Sequence, residues 1–304
     1  MKNFAPWPII KTKRKTDSMQ NQLFLTECPR DAMQGLAHFV PTETKIKYLN
    51  SLLEVGFERL DFGSFVSPKA IPQMRDTGEI IGKLRLGNSK TKLLAIVANL
   101  RGADQACEFE EIDLLGFPLS VSEIFQQKNT QKSIANALEE IAKIQNLCLV
   151  HGKELVVYLS MAFGNPYEES YSTALVQEKG EKVLELGVTS ISLADTVGMA
   201  HPLEISRLFS DLGKSWPHIN LTAHLHSNPY QAKEKIRAAW QAGCRRFDVA
   251  LGGFGGCPMA KDDLVGNLGT EQMLDWAAEN QIHHGLKLEQ LKEPSDMMKD
   301  IFYP

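Results

Sequence analysis

The stretch IRAAWQAGCRRFDVAL, Ile236–Leu251, carries the pattern that decides the fold. Ile236, Ala239 and Trp240 recur at helical spacing, Gly243 stops the helix, and Arg246–Leu251 reads as a strand. The same unit recurs elsewhere. Ile46, Leu49, Leu53 and Val55 form an apolar stripe ending at Gly56, with a strand at Arg59–Phe62 beyond it. Val183, Leu184 and Leu186 lead to Gly187 and a strand at Ser190–Leu193. A glycine at each junction suits the left-handed position that closes a helix. Apolar runs at Leu23–Thr26, Leu93–Val97, Ile112–Leu115 and Leu155–Leu159 read as strands buried on both faces, Leu221–His226 as one more, and Ser133–Cys148 as a helix. The total is about eight strands with helices between most of them. Right-handed parallel crossovers repeated in this way close into a (β/α)8 TIM barrel, an α/β fold, with a short C-terminal helical extension. A doubly wound open sheet fits less well, because no glycine-rich dinucleotide loop follows the first strand.

The chain of 304 residues can bury a large core, and residues 21–304 read as a single barrel domain. A net charge of −4 carries no polyanion-binding signature, so nucleic acid is not an expected partner. No apolar run reaches bilayer-spanning length, and no membrane partner is expected. The five cysteines are scattered, with no Cys-x-x-Cys pair, which speaks against a disulfide framework or a zinc knuckle and fits a reducing, cytoplasmic setting. Residues 1–20 hold Lys2, Lys11, Lys13, Arg14 and Lys15 and lack a secretory apolar region. They read as a disordered basic extension; a transit peptide is the other reading, and Met19 an alternative start.

In a barrel, active sites lie at the C-terminal ends of the strands. The polar residues expected there are Arg30 and Asp31 after the first strand, and Asp61 and Ser64 at the second. Asn99 and Arg101 follow the third, and Tyr158 and Ser160 stand at the fifth. Asp195 and Thr196 follow the sixth, His224 and His226 stand at the seventh, and Cys257 follows the eighth. Residues two apart on a strand share a face, so the imidazoles of LTAHLH, Leu221–His226, point the same way. With Asp31, and an amide oxygen from Asn267, they make a mixed nitrogen and oxygen donor set that suits Mg²⁺ or Mn²⁺ better than a closed structural zinc. Isolated His-x-His pairs are common in cores and on surfaces; the strand-end placement singles this one out. A buried Arg30 could stabilise a developing enolate or simply pair with Asp61 or Asp195. Cys257 lies in GGFGGCPMA, Gly252–Ala260, a glycine-rich stretch able to act as a lid that brings in a thiol. Asp195 could orient substrate or cap a helix.

Taken together, the motifs resemble those of the hydroxymethylglutaryl-CoA lyases, a group within the metal-dependent TIM-barrel lyases. The resemblance runs from about Leu23 to Ala277. It rests on PRDAMQ (Pro29–Gln34), SFVSPKAIPQM (Ser64–Met74), SLADTVGMAHP (Ser192–Pro202), HLH, GFGGCPMA and GNLGTE (Gly266–Glu271). It implies a carbon–carbon lyase that splits 3-hydroxy-3-methylglutaryl-CoA into acetyl-CoA and acetoacetate. It further implies a divalent metal held by Asp31, His224, His226 and Asn267, and catalytic roles for Arg30, Asp61, Asp195, His224 and Cys257. Arg30, Gln34 and Ser64 fall on substrate-binding positions, the partner is an acyl-CoA, and the family suggests a homodimer. Several positions depart from the family pattern. Asp61 stands where Glu is usual, Ser227-Asn228-Pro229-Tyr230 replaces DTYG, Met259 replaces Tyr, the region of Ala37 replaces a Lys, and Met161 and Asn165 stand where two cysteines are frequent. These changes fall around the metal shell, so a different 3-hydroxy-acyl-CoA is the alternative substrate. An acetyl-CoA-dependent condensing transferase or a non-catalytic binding barrel are the alternative activities.

Overall fold

Eight parallel strands close on themselves in strict sequence order in this computed structural model, which describes residues 21–256 and 265–303. They are β1 (Phe24–Glu27), β2 (Arg59–Ser64), β3 (Lys92–Ile96), β4 (Ile112–Ser120), β5 (Glu154–Ser160), β6 (Ser190–Asp195), β7 (Asn220–Leu225) and β8 (Arg246–Val249). The barrel closes where Phe24 pairs with Arg246 and Glu27 with Val249. The helices are α1 (Pro29–Gln34), α2 (Thr42–Val55), α3 (Thr77–Ile81), α4 (Leu100–Cys107), α5 (Glu123–Thr130), α6 (Ile134–Val150), α7 (Thr173–Glu185), α8 (Pro202–Ser215), α9 (Ala232–Gln241), α10 (Thr270–Glu279) and α11 (Lys292–Phe302). The fold is the TIM barrel that the recurring helix–glycine–strand unit predicts, and α11 is the C-terminal helix. No described helix is long and apolar enough to cross a membrane.

The glycine junctions behave as expected: φ is +86° at Gly56 and Gly187 and +97° at Gly243. Strand boundaries differ in two places. The fourth strand runs on to Ser120, well past the expected Leu115. Pro118 looks like a strand breaker in sequence, yet it lies beyond Gly116, the last residue of β4 paired with β3, where no ladder donor is needed. The eighth strand stops at Val249, and Leu251–Gly253 forms a turn of 3-10 helix.

Alternation along the strands sorts the core into two parts. Phe247 and Val249 of β8 are fully buried between barrel and helices, and burial of each contributes roughly 1.5–3 kcal/mol. Inside the barrel a separate apolar cluster of Leu94, Ile96, Leu114, Val156 and Tyr158 fills the β3–β5 side. Towards the N-terminal ends the strands carry charges, with Arg59 bonded to Glu154 at 3.2 Å, Arg246 paired with Glu58, and Arg246 over the Phe24 ring. The polar side chains near the C-terminal ends of β1, β2, β7 and β8 are left to do chemistry.

Candidate metal centre and active site

Asp31 and Arg30 come from α1, the turn that follows β1. Pro29 starts this helix with its φ already set, at the first position where a missing N–H costs nothing. His224 and His226 come from the end of β7. One ligand atom from each of Asp31, His224 and His226 lies within 4.8 Å of the others, and all three residues are buried. The two Nε2 atoms are 3.3 Å apart, close enough to share a proton or face one cation.

Each imidazole is fixed through its other nitrogen. His224 Nδ1 lies 3.1 Å from Asp248 Oδ2, and the Ser192 hydroxyl donates to the same oxygen at 3.2 Å. His226 Nδ1 lies 3.0 Å from the Val265 carbonyl, so it donates there and leaves Nε2 as the acceptor. Burial pulls His226 down to about 4, helped by the neighbouring His224, so it is neutral at physiological pH as a ligand must be. For His224 burial acts in the same direction, but the Asp248 carboxylate and Asp31 outweigh it and the net shift is upward.

Asn267 lies against the group. Its backbone bridges that of His226 in antiparallel fashion, and Ser227 N donates to Gly266 O at 2.9 Å, so the returning chain lies across the tops of β7 and β8. The Asn267 amide nitrogen donates to Asp31 Oδ2 at 2.7 Å and to the Phe254 carbonyl at 2.9 Å. Both amide hydrogens are thereby used, and the side-chain oxygen has no donor among the described residues. Gly255 permits this approach: its φ is +102°, and a Cβ there would sit 2.5 Å from the Asn267 amide nitrogen. Two imidazole nitrogens and an ionised carboxylate make a mixed donor set that could hold a divalent cation with further positions left open.

Arg30 lies beside this group, 7% exposed. Its Nε and Nη2 donate to Asp61, the shortest bond being 2.6 Å, and Nη1 donates to Asp31 at 3.1 Å and to Gln34 at 3.0 Å. Gln34 in turn donates to Asp31 at 2.8 Å, so it acts as a strut between the guanidinium and the carboxylate. The two carboxylates around Arg30 are driven apart. Burial raises both, but Arg30, the two histidines and Asn267 overcome it at Asp31 and hold that group at about 2. At Asp61 burial wins against Arg30, and neighbouring Asp31 and Asp248 add to it, so its carboxyl is pushed up to about 6. Such divergence within one site separates a permanent anion from a group poised to take or give a proton.

The other expected residues are placed differently. Asp195 turns to α9, where the buried Lys235 ammonium bonds it at 2.8 Å and also the carbonyls of His226 at 2.7 Å and Gly198 at 3.1 Å. Asp195 also accepts the Ala200 N–H at 3.0 Å, one residue before the His201 cap of α8. Ser64 is buried and its hydroxyl accepts the Val66 N–H at 3.1 Å. Cys257, like Met259, lies outside the described residues, as do residues 1–20. His38, His151, His201, His218, His283 and His284 are exposed or half-buried, away from the cluster, and Cys148 and Cys244 are buried. Sequence reasoning passed over Asp248, Ser192 and Lys235, and it gave no role to Tyr158, whose ring stands edge-on to His224 at 5.6 Å. The available signals were an Asp on the inward parity of an apolar strand and a Lys on the apolar stripe of a helix.

The HMGL-like family model matches residues 22–298. Mitochondrial hydroxymethylglutaryl-CoA lyase of Gallus gallus is 32% identical over 87% of this chain and 88% of its own. (R)-citramalyl-CoA lyase of Chloroflexus aurantiacus is 30% identical over 89% of this chain and 87% of its own. An HMG-CoA lyase from Acinetobacter baumannii, in complex with coenzyme A and 3-methylmalate, superposes with a TM-score of 0.86 at 32% identity, covering 93% of this chain and 92% of that one. A barrel that gathers an arginine, carboxylates and imidazoles at its C-terminal mouth thus falls in the class of carbon–carbon lyases. The chain belongs to the HMGL-like family, among relatives of hydroxymethylglutaryl-CoA lyase.

Proposed function

We propose that this protein cleaves a 3-hydroxy-3-methyl dicarboxylic acyl-CoA between C2 and C3, with 3-hydroxy-3-methylglutaryl-CoA as its substrate and acetyl-CoA and acetoacetate as products. The observation that carries this reading is the convergence of Asp31, His224 and His226 within 4.8 Å, beside a guanidinium held by two carboxylates. Mg²⁺ or Mn²⁺ is the ion this donor set fits, and when bound it supplies Lewis-acid polarisation of the substrate hydroxyl and a carboxyl oxygen.

The residues then divide the work. Both nitrogens of His224 are committed, one to Asp248 and one to the ligand cluster, which leaves Asp61 as the base that takes the C3 hydroxyl proton. As that proton leaves, C3 becomes a ketone, the C2–C3 bond breaks, and its electron pair becomes the thioester enolate. The one Nη2 hydrogen of Arg30 without a partner among the described residues is the donor for the enolate oxygen. Protonation at C2 then yields acetyl-CoA, with the Cys257 thiol as the acid. Asp195 acts from a distance, by holding Lys235 under the His226 carbonyl.

The relative that acts on (R)-citramalyl-CoA favours a second substrate within the same chemistry. Its acid tail is one methylene shorter and the ketone released would be pyruvate. Purified protein with Mg²⁺ or Mn²⁺ should release acetoacetate from 3-hydroxy-3-methylglutaryl-CoA, and Cys257→Ala should lose most of that rate. Pyruvate from citramalyl-CoA at a higher kcat/KM would reassign the substrate; no ketone from either would reject the lyase reading.

A further inference from the structure

The C-terminal helix α11 reaches the two loops that carry Asp31 and Asn267, and nothing in the proposed chemistry uses it. Its last residues meet the β8 loop through aromatic rings. Phe302 stacks on Phe254 with centroids 4.2 Å apart and planes 5° from parallel, and Tyr303 meets the same ring edge-on at 5.3 Å. It meets the β1 loop through a hydrogen bond, with His38 Nε2 3.1 Å from the Ile301 carbonyl. Phe254 is also the residue whose carbonyl accepts one of the two amide hydrogens of Asn267. The other amide hydrogen goes to Asp31. A continuous path therefore runs from the Phe302 ring to the Phe254 ring, through the Phe254 carbonyl to Asn267, and on to Asp31.

The packing around Phe254 leaves little freedom to compensate if that path is cut. A Cβ on Gly252 would meet the Phe254 ring at 2.3 Å and Met298 of α11 at 3.1 Å, so this backbone is pressed directly against ring and helix. A Cβ on Gly266, next to Asn267, would meet the Gly253 carbonyl at 2.0 Å. With the two segments this close, the Phe254 peptide and its ring are positioned together, and Phe302 provides the stacked face that holds the ring while Tyr303 meets it edge-on.

We infer that Phe302 is a positioning residue for the cation site: by stacking on Phe254 it aims the Phe254 carbonyl at the Asn267 amide, and that same amide holds the Asp31 carboxylate beside His224 and His226. This rests on the reading of that cluster as a divalent-metal site. Phe302 touches neither substrate nor cation, so its effect should appear in affinity for the ion before it appears in folding.

The test is Mn²⁺ binding to the full chain by titration calorimetry, with melting of the metal-free protein measured in parallel. Phe302→Leu keeps apolar volume and loses the stacked ring; it should raise the Mn²⁺ Kd about tenfold, the lower end of what loss of an outer-layer partner costs a metal site. Phe302→Tyr keeps the ring and should bind as the wild type does. A chain ending at Ile301 is the second variant and should match Phe302→Leu. Wild-type Kd in Phe302→Leu, or an equal loss in Phe302→Tyr, overturns the inference. Wild-type protein that binds no Mn²⁺ overturns instead the metal-site reading on which it stands.

Discussion

His224 presents Nδ1 to Asp248 Oδ2 at 3.1 Å, across neighbouring strands of the barrel. That contact decides which nitrogen of His224 faces the cluster, because an imidazole whose Nδ1 donates has only Nε2 left to accept. Asp248 is 2% exposed and shares its oxygen with the Ser192 hydroxyl, so its own orientation is fixed too. Removing the negative charge while keeping the shape isolates the effect. Asp248→Asn should raise the Kd for Mn²⁺ by about 10–100-fold, the range found for such partners. An Asn variant with undiminished affinity in a calorimetric titration would mean that His224 does not depend on Asp248 for its tautomer.

Asp61 should set the acid limb of the rate profile. Its carboxyl is pushed up to about 6, chiefly by burial, so below that pH the folded enzyme holds it protonated and unable to act as a base. kcat/KM should therefore rise with pH through a midpoint near 6 in weakly loaded enzyme. A nearby divalent cation favours the carboxylate, so saturating metal should move the midpoint lower. Asp61→Asn should remove the limb and cost about 10²–10⁴ in rate. A limb that survives in Asp61→Asn would hand the base role to another group.

These assignments were unequally legible in the sequence. The barrel could be read because Gly56, Gly187 and Gly243 punctuate its units and several of its strands are continuous apolar runs. The triad could be read in part from strand parity, since His224 and His226 alternate on one face whatever the partner strands do. What a strand pattern cannot carry is depth and partner. Asp248 lies in RFDVAL and Lys235 in AKEKIRAAW, each surrounded by residues that explain the segment without it. Only the register of β7 against β8 brings Asp248 to His224, 24 residues earlier in the chain, and only the packing of α9 brings Lys235 to Asp195, 40 residues away. Phe302 is further still: its link to Asn267 passes through a ring, a backbone carbonyl and an amide that no local spacing connects.

Glu27 offers a test of stability against pH. It is fully buried on the outer side of β1, accepting the Leu251 N–H at 2.7 Å and the Thr270 hydroxyl at 2.6 Å. Burial, against the pull of those two bonds, pushes its carboxyl up from 4.5 to about 8. The folded state thus holds this proton more tightly than the unfolded chain does. The stability it contributes is complete below about pH 4.5 and is lost as pH rises through about 8, in total on the order of a few kcal/mol. Glu27→Gln keeps the shape, accepts from Leu251 and can donate to Thr270 without ever ionising. Wild type and variant should melt alike near pH 5, and the variant should melt several degrees higher near pH 9. Parallel melting curves across that range would show that Glu27 does not titrate between the two states.

Lys235 and Asp195 are 2% exposed each, and their ion pair sits directly behind the His226 carbonyl. A buried ion pair costs nearly as much to desolvate as it returns, so losing one partner is far worse than losing both. Lys235→Met alone leaves the Asp195 charge buried without its counter-ion and should destabilise by about 3–5 kcal/mol in urea unfolding. The double variant Lys235→Met, Asp195→Leu should recover most of that loss. Its activity then separates two roles for Asp195. If Asp195 only holds Lys235, the refolded double variant should keep turnover within about tenfold of wild type, with weakened metal affinity as the main defect because the His226 carbonyl has lost its tether. If Asp195 instead takes part in proton transfer, the double variant should fold normally, bind Mn²⁺, and still lose about 10²–10⁴ in kcat.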